Sequence, residues 1–139
     1  MIEKDSVKVK SFIRDDPEAD FIGTWSVSNP SSGAYAMYVT EKIASLKGFD
    51  VKGYMWDTLG FATFTGKIDS NRFEFIKVYD DDAVDEGGLK GEVKYSLKIG
   101  NEPGKFEGEY TWSVDEDETG DTWVKAQKFT FDVQSEDFL

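Results

Sequence analysis

The chain has 139 residues, enough for one domain with a sizeable core, and its 28 acidic against 16 basic residues give a formal charge of −12. A surface this acidic repels nucleic-acid phosphates and anionic membranes, so neither is an expected partner. Histidine and cysteine are both absent, which excludes disulfides, thiolate metal sites, Cys nucleophiles, Ser-His-Asp catalysis and His-ligated zinc or haem.

Residues 1–20 are expected to form an arm that packs on the main body. Val7, Val9 and Ile13 set against Lys8 and Lys10 suit an edge strand, and the stretch from Arg14 through Pro17 to Glu18 breaks it. The charged start of the chain shows no signal peptide, and no apolar run reaches membrane-spanning length, so a cytoplasmic location is expected. A first body strand follows over 21–27 and stops at Asn29-Pro30. The next runs from Ala34 to about Ile43, with Tyr35, Met37 and Val39 alternating, while 40–46 also suits a helical turn. Phe49–Trp56 is another strand, and Asp57-Thr58-Leu59-Gly60 a hairpin turn.

Residues 60–80 read as two strands around the polar turn Asp69-Ser70-Asn71. In the second of them Phe73, Phe75 and Tyr79 share one side, and Arg72, Glu74 and Asp80 the other. An acidic loop spans 80–88. Val93, Tyr95, Leu97 and Ile99 alternate in the next strand, and Phe106, Gly108, Tyr110, Trp112 and Val114 in the one after. A second acidic turn over 115–121 leads into a last strand over 123–133, and the tail 134–139 is expected to fray.

About eight strands, joined by short turns and with no helix long enough for a parallel crossover, predict an all-β fold. A meander with one apolar face buries that face by closing, so the expected architecture is a closed antiparallel up-and-down β-barrel. The expected division is an arm over 1–20, one barrel domain over 21–133 and the tail 134–139.

Gly23-Thr24-Trp25, placed on the first body strand and followed by a meander, resembles the Gly-x-Trp signature of the calycins, the superfamily of lipocalins, fatty-acid-binding proteins and avidins. The resemblance implies a closed barrel that is lipocalin-like, with Trp25 closing the floor and a basic residue of the last strand, Lys125 or Lys128, packed across it by cation–π contact. Trp25 also reads simply as a core aromatic.

Lys77 shares the inward side of its strand with Phe73, Phe75 and Tyr79. A lone ammonium inside a barrel needs a partner, such as a ligand carboxylate or phosphate, with Tyr79, Tyr95 and Tyr110 supplying hydroxyls and Trp112 a wall. Alternatively Lys77 reaches water at the barrel mouth or pairs with an acidic loop. Gln127 is a weaker candidate of the same kind. Asp115 to Asp121 copies the first half of a calcium loop, but Ala126 stands where the closing Glu belongs, so it reads as a solvated turn. Asp80, Asp81, Asp82, Asp85 and Glu86 read the same way. No pair of carboxylates is singled out for glycosidase chemistry.

No cofactor, metal or enzymatic activity is expected. Ile76 and Val78, on the nominally outward side, mark a contact with the arm or with a second subunit in a homo-oligomer. The expected function is a non-catalytic barrel binding a small apolar or amphipathic, hydrophobic ligand in its interior; the alternative is a barrel filled by its own rings that acts as a protein-interaction or oligomerisation module.

Overall fold

Strict two-residue alternation puts a bulky apolar side chain on one side of nearly every strand, and only a closed wall buries all of those sides at once. The computed structural model describes residues 15–26, 32–57, 60–79, 91–112 and 119–130. Within them run β1 (Phe21–Ser26), β2 (Ser32–Ala44), β3 (Phe49–Asp57), β4 (Gly60–Ile68), β5 (Arg72–Tyr79), β6 (Glu92–Ile99), β7 (Lys105–Trp112) and β8 (Thr119–Ala126). Each strand pairs antiparallel with the next, and β8 returns to β1 to close the barrel. The architecture is the closed up-and-down barrel that the alternation predicts. No helix long and apolar enough to cross a membrane occurs among the described residues.

The inward positions form one continuous core: Phe21, Tyr35, Met37, Val51, Met55, Phe64, Phe73, Phe75, Tyr95, Leu97, Phe106 and Val124 are all buried. Phe73 and Phe75 face this interior, as their alternation requires. One end is sealed by aromatic rings. Phe21 meets Phe73 and Phe129 at 5.0 Å each, Phe49 meets Phe129 at 5.9 Å, and Phe106 meets Phe73 at 6.0 Å.

One open alternative is decided and two local readings are corrected. β2 continues as strand through Ala44, with a register shift between Val39 and Glu41, rather than turning into a helix after Thr40. β8 starts at Thr119 and ends at Ala126, so Phe129 does not extend the strand but folds under the barrel end. A large apolar ring at a barrel end gains more by plugging it than by extending an edge. Gln127, an expected ligand contact, instead ties down the entering chain: its Nε2 donates to the carbonyls of Asp16 (2.9 Å) and Ala19 (3.2 Å). The expected arm residues Val7, Val9 and Ile13, the loop 80–90, Asp115–Glu118 and the tail 134–139 lie outside the described residues.

Gly23 is required by a close approach. A Cβ there would come within 2.6 Å of Tyr35 Cζ and would also press on the Trp123 carbonyl. Gly23→Ala is expected to destabilise the barrel by about 1–3 kcal/mol through overpacking, read as a lower urea midpoint with an unchanged m-value.

Candidate functional site

At the end opposite the aromatic seal, two strands bring three polar groups into the apolar interior. Asp57 is the last residue of β3 and continues the inward series Val51, Gly53, Met55; Lys77 and Tyr79 occupy the inward positions at the end of β5. The side chains of Lys77 and Asp57 are 3% and 1% exposed. Lys77 Nζ donates to Asp57 Oδ2 (2.8 Å) and to the Tyr79 hydroxyl (2.7 Å), and Tyr79 in turn donates to Asp57 Oδ2 (2.6 Å). Asp57 Oδ1 accepts the Gly60 N–H at 2.9 Å. The ammonium also sits over the Tyr79 ring at 4.3 Å and the Tyr95 ring at 5.6 Å. One carboxylate thus fixes the β3–β4 turn and neutralises the buried cation.

Electrostatics follow from that closure. Burial alone would lower the Lys77 ammonium, but the facing Asp57 carboxylate and the Tyr79 hydroxyl outweigh it, and its pKa is raised. Burial pushes the phenols of Tyr35, Tyr79 and Tyr95 upward as well, reinforced by the Asp57 charge at each. Neither the Lys77 ammonium nor these phenols are poised to exchange protons near neutrality.

Groups whose folded pKa is raised contribute stability that is complete below their unfolded value and lost as pH rises through the folded one. For these tyrosines the ordinary value is 10.0. Their tyrosinate absorbance is expected to appear only above pH 10, in one cooperative step that coincides with loss of near-UV circular dichroism. Independent titration near the ordinary value, with the fold intact, would show that the rings reach water.

A second polar device lies across the barrel. The Tyr35 hydroxyl is 2.6 Å from Thr122 Oγ1, which donates to the Thr24 carbonyl at 2.7 Å. It holds Tyr35 over Gly23 and so fixes the start of the β1–β8 seam.

The residues expected for a ligand site come together in part. Lys77, Tyr79, Tyr95, Tyr110 and Trp112 line one recess, joined by Trp25 and Val93. Trp25 meets Tyr110 edge-on at 6.5 Å, and Tyr95 stacks on Phe75 at 4.2 Å. Phe73 and Phe75 lie deeper, in the packed core. The recess encloses ≈ 40 Å³, room for a few waters, whereas ligand chambers span roughly 300–1,000 Å³. Larger hollows beside the turns at Gly48 and Gly100 are open clefts between surface turns.

The floor device implied by the calycin resemblance is arranged differently. Trp25 lies near the recess end of β1, while Lys125 pairs in register with Ile22 and its Nζ is 3.8 Å from Glu102. Lys128 lies beyond β8 and bonds Glu18. The tryptophan and the two lysines therefore sit toward opposite ends of β1, and rings take the lysines' place: Phe129 plugs the far end, with Lys42 over it at 4.8 Å.

Asp57 is the member of this cluster that the sequence reading does not single out. As a member of Asp-Thr-Leu-Gly it reads as turn chemistry, although its place two residues after Met55 was a signal that it points inward. Asp121, read as part of the acidic turn, pairs within the sheet opposite Ser26 and Glu109. Among the described residues no group of three acidic, His or Cys side chains could hold a metal ion. Comparisons of the chain with protein-family models, curated proteins and solved structures find no match.

Proposed function

We propose that this chain is a non-catalytic, calycin-like barrel whose interior is structural and whose outer wall is the working surface, as a self-association module. The filled interior carries this reading: a ≈ 40 Å³ recess is the space left among the core rings, and the buried cation is already neutralised by Asp57. Among the described residues an apolar ligand of ordinary size finds no chamber in the barrel interior, and an anionic one no unpaired cation there. The absence of histidine and cysteine and the upward-shifted phenols support a module without acid–base chemistry.

The outer wall offers a surface of suitable chemistry. Ile76 and Val78 stand side by side on β5, 37% and 42% exposed, opposite Thr65 and Thr63 of β4. On the other flank Lys94 faces Ile76 and Glu92 faces Val78. An apolar pair flanked by one cation and one anion is self-complementary under a two-fold axis, where each subunit's lysine meets the other's glutamate. A second copy of this chain is therefore the occupant.

Sedimentation velocity over a concentration series tests it. The parent is expected to dimerise, and Ile76→Glu to weaken association about ten-fold or more, equivalent to roughly 1.4 kcal/mol. A parent that stays monomeric at all concentrations refutes the proposal.

One observation favours a second reading. Trp25, Tyr79, Tyr95, Tyr110 and Trp112 converge on the recess, which suits the apolar tip of a small amphipathic molecule. Such a molecule would remain on protein purified from its source.

A further inference from the structure

Cross-strand register lays the outer wall of β3–β6 out in rows. Lys52, Thr65, Ile76 and Lys94 form one row, and Tyr54, Thr63, Val78 and Glu92 the next. Tyr54 is half-buried and the others are exposed. A dimer that sets Ile76 against Val78, and Lys94 of each copy against Glu92 of the other, has its two-fold axis along the rows, midway between them. An axis along the strands would instead lay β6 of one copy over β4 of the other, and Lys94 would meet threonine. With the axis along the rows, each residue of one row faces its same-strand neighbour of the other row in the second copy. Thr65 then faces Thr63, and Lys52 faces Tyr54.

We infer that the dimer contact extends from β5 to β3, where the Lys52 ammonium of each copy donates to the Tyr54 hydroxyl of the other, and that this reciprocal pair fixes the register of the two walls. The inference rests on the self-association proposed above. Availability is the first argument. The Tyr54 hydroxyl makes no hydrogen bond among the described residues. The Lys52 ammonium has only a 4.0 Å contact with Glu41, with side chains 62% and 49% exposed, an ion pair worth little in water.

Order and field are the second. Tyr54 stacks on Tyr38 of β2 at 4.9 Å and on Phe61 of β4 at 5.9 Å. Its ring is therefore held from both sides before a partner arrives, and little side-chain entropy remains to be lost on binding. Burial, followed by the charges of Asp20 and Asp16, raises the Tyr54 phenol above its ordinary pKa. The two carboxylates make a negative field at this hydroxyl, which suits an incoming ammonium. Reach is the third. Two convex walls part on either side of their line of contact, and β3 lies two strand spacings from β5, about 10 Å. At that distance only long side chains still meet, and lysine and tyrosine are the long ones; the short threonines stand on β4, nearer the line.

Two variants of the full chain test this. Lys52→Met removes the donor, and Tyr54→Phe removes the acceptor while keeping the stacked ring. By sedimentation velocity each is expected to dimerise about five-fold more weakly than the parent. The double variant is expected to be no weaker than either single one, since losing one partner already disables the contact in both places. An equimolar mixture of the two single variants is then weighed by native mass spectrometry. It is expected to hold more than the random share of mixed dimers, because only the mixed pair keeps one Lys52–Tyr54 contact. Parent-like affinity of the single variants, losses that add in the double variant, or a random share of mixed dimers overturns the inference and leaves self-association standing. A parent that stays monomeric overturns both.

Discussion

Truncating Asp57 to alanine is expected to destabilise the barrel by about 3–5 kcal/mol, the cost of leaving a buried ammonium without its counterion. The size follows from burial: Lys77 and Asp57 are both nearly inaccessible, and the same carboxylate holds the Gly60 amide and the Tyr79 hydroxyl. Replacing both partners, Asp57→Leu with Lys77→Met, is expected to recover most of that loss, because two apolar groups of similar volume need no solvation.

pH separates this account from a simple packing defect. In the parent the Lys77 pKa is raised, so its contribution is complete below the ordinary lysine value of 10.5 and fades above it. Without Asp57, burial is the dominant influence and the ammonium pKa falls. Stability of Asp57→Ala should then rise with pH on the way to 10.5, where the Lys77 contribution of the parent is flat. Urea unfolding at several pH values measures both slopes, and parallel slopes would remove the ion pair from the explanation.

The second large effect belongs to Phe73. Its ring lies 5.0 Å from Phe21, 4.7 Å from Phe75 and 6.0 Å from Phe106, fully buried where the aromatic seal meets the core. Phe73→Ala is expected to cost about 3–5 kcal/mol, the lost transfer energy plus the cavity left among rings that cannot collapse together. Phe73→Leu keeps most of the volume and should cost less than about 1.5 kcal/mol. Denaturant midpoints of the two variants decide it. Equal, small losses would mean that the sealed end is loosely packed.

How much of this was legible in the sequence depends on whether a signal is local. The alternation Phe73, Phe75, Lys77, Tyr79 gives both a strand and its inward side, because period two is a property of one segment. The same holds for β6 and β7, and eight such segments with short turns leave few topologies besides a meander. The convergence of Lys77, Tyr79, Tyr95, Tyr110 and Trp112 on one recess was readable for the same reason: all lie inward on β5, β6 and β7, strands that follow one another around the wall.

What escaped depends on distance in sequence or on competing local chemistry. Asp57 is twenty residues from Lys77 and sits in a tetrapeptide that also makes a good turn, so its second role needed the closed barrel to be seen. Phe129 continues an alternating run with Phe131 and Val133, and nothing in that run says that the strand stops at Ala126 to let one ring plug the end. The Gly-x-Trp resemblance named Gly23 but not the close approach of Tyr35 that requires a glycine there, and the cation it implied across Trp25 belongs to a different arrangement of the floor. Lys125 and Lys128 could be excluded only once the β1–β8 register was known.

The central proposal is that the rings and the Lys77–Asp57 pair fill the barrel and leave no ligand chamber among the described residues. Native mass spectrometry of the full chain purified from its own source tests it most directly. The expected result is a mass equal to the polypeptide, as monomer and dimer, with nothing retained. A stoichiometric small molecule that survives desolvation and is lost only on unfolding would contradict it.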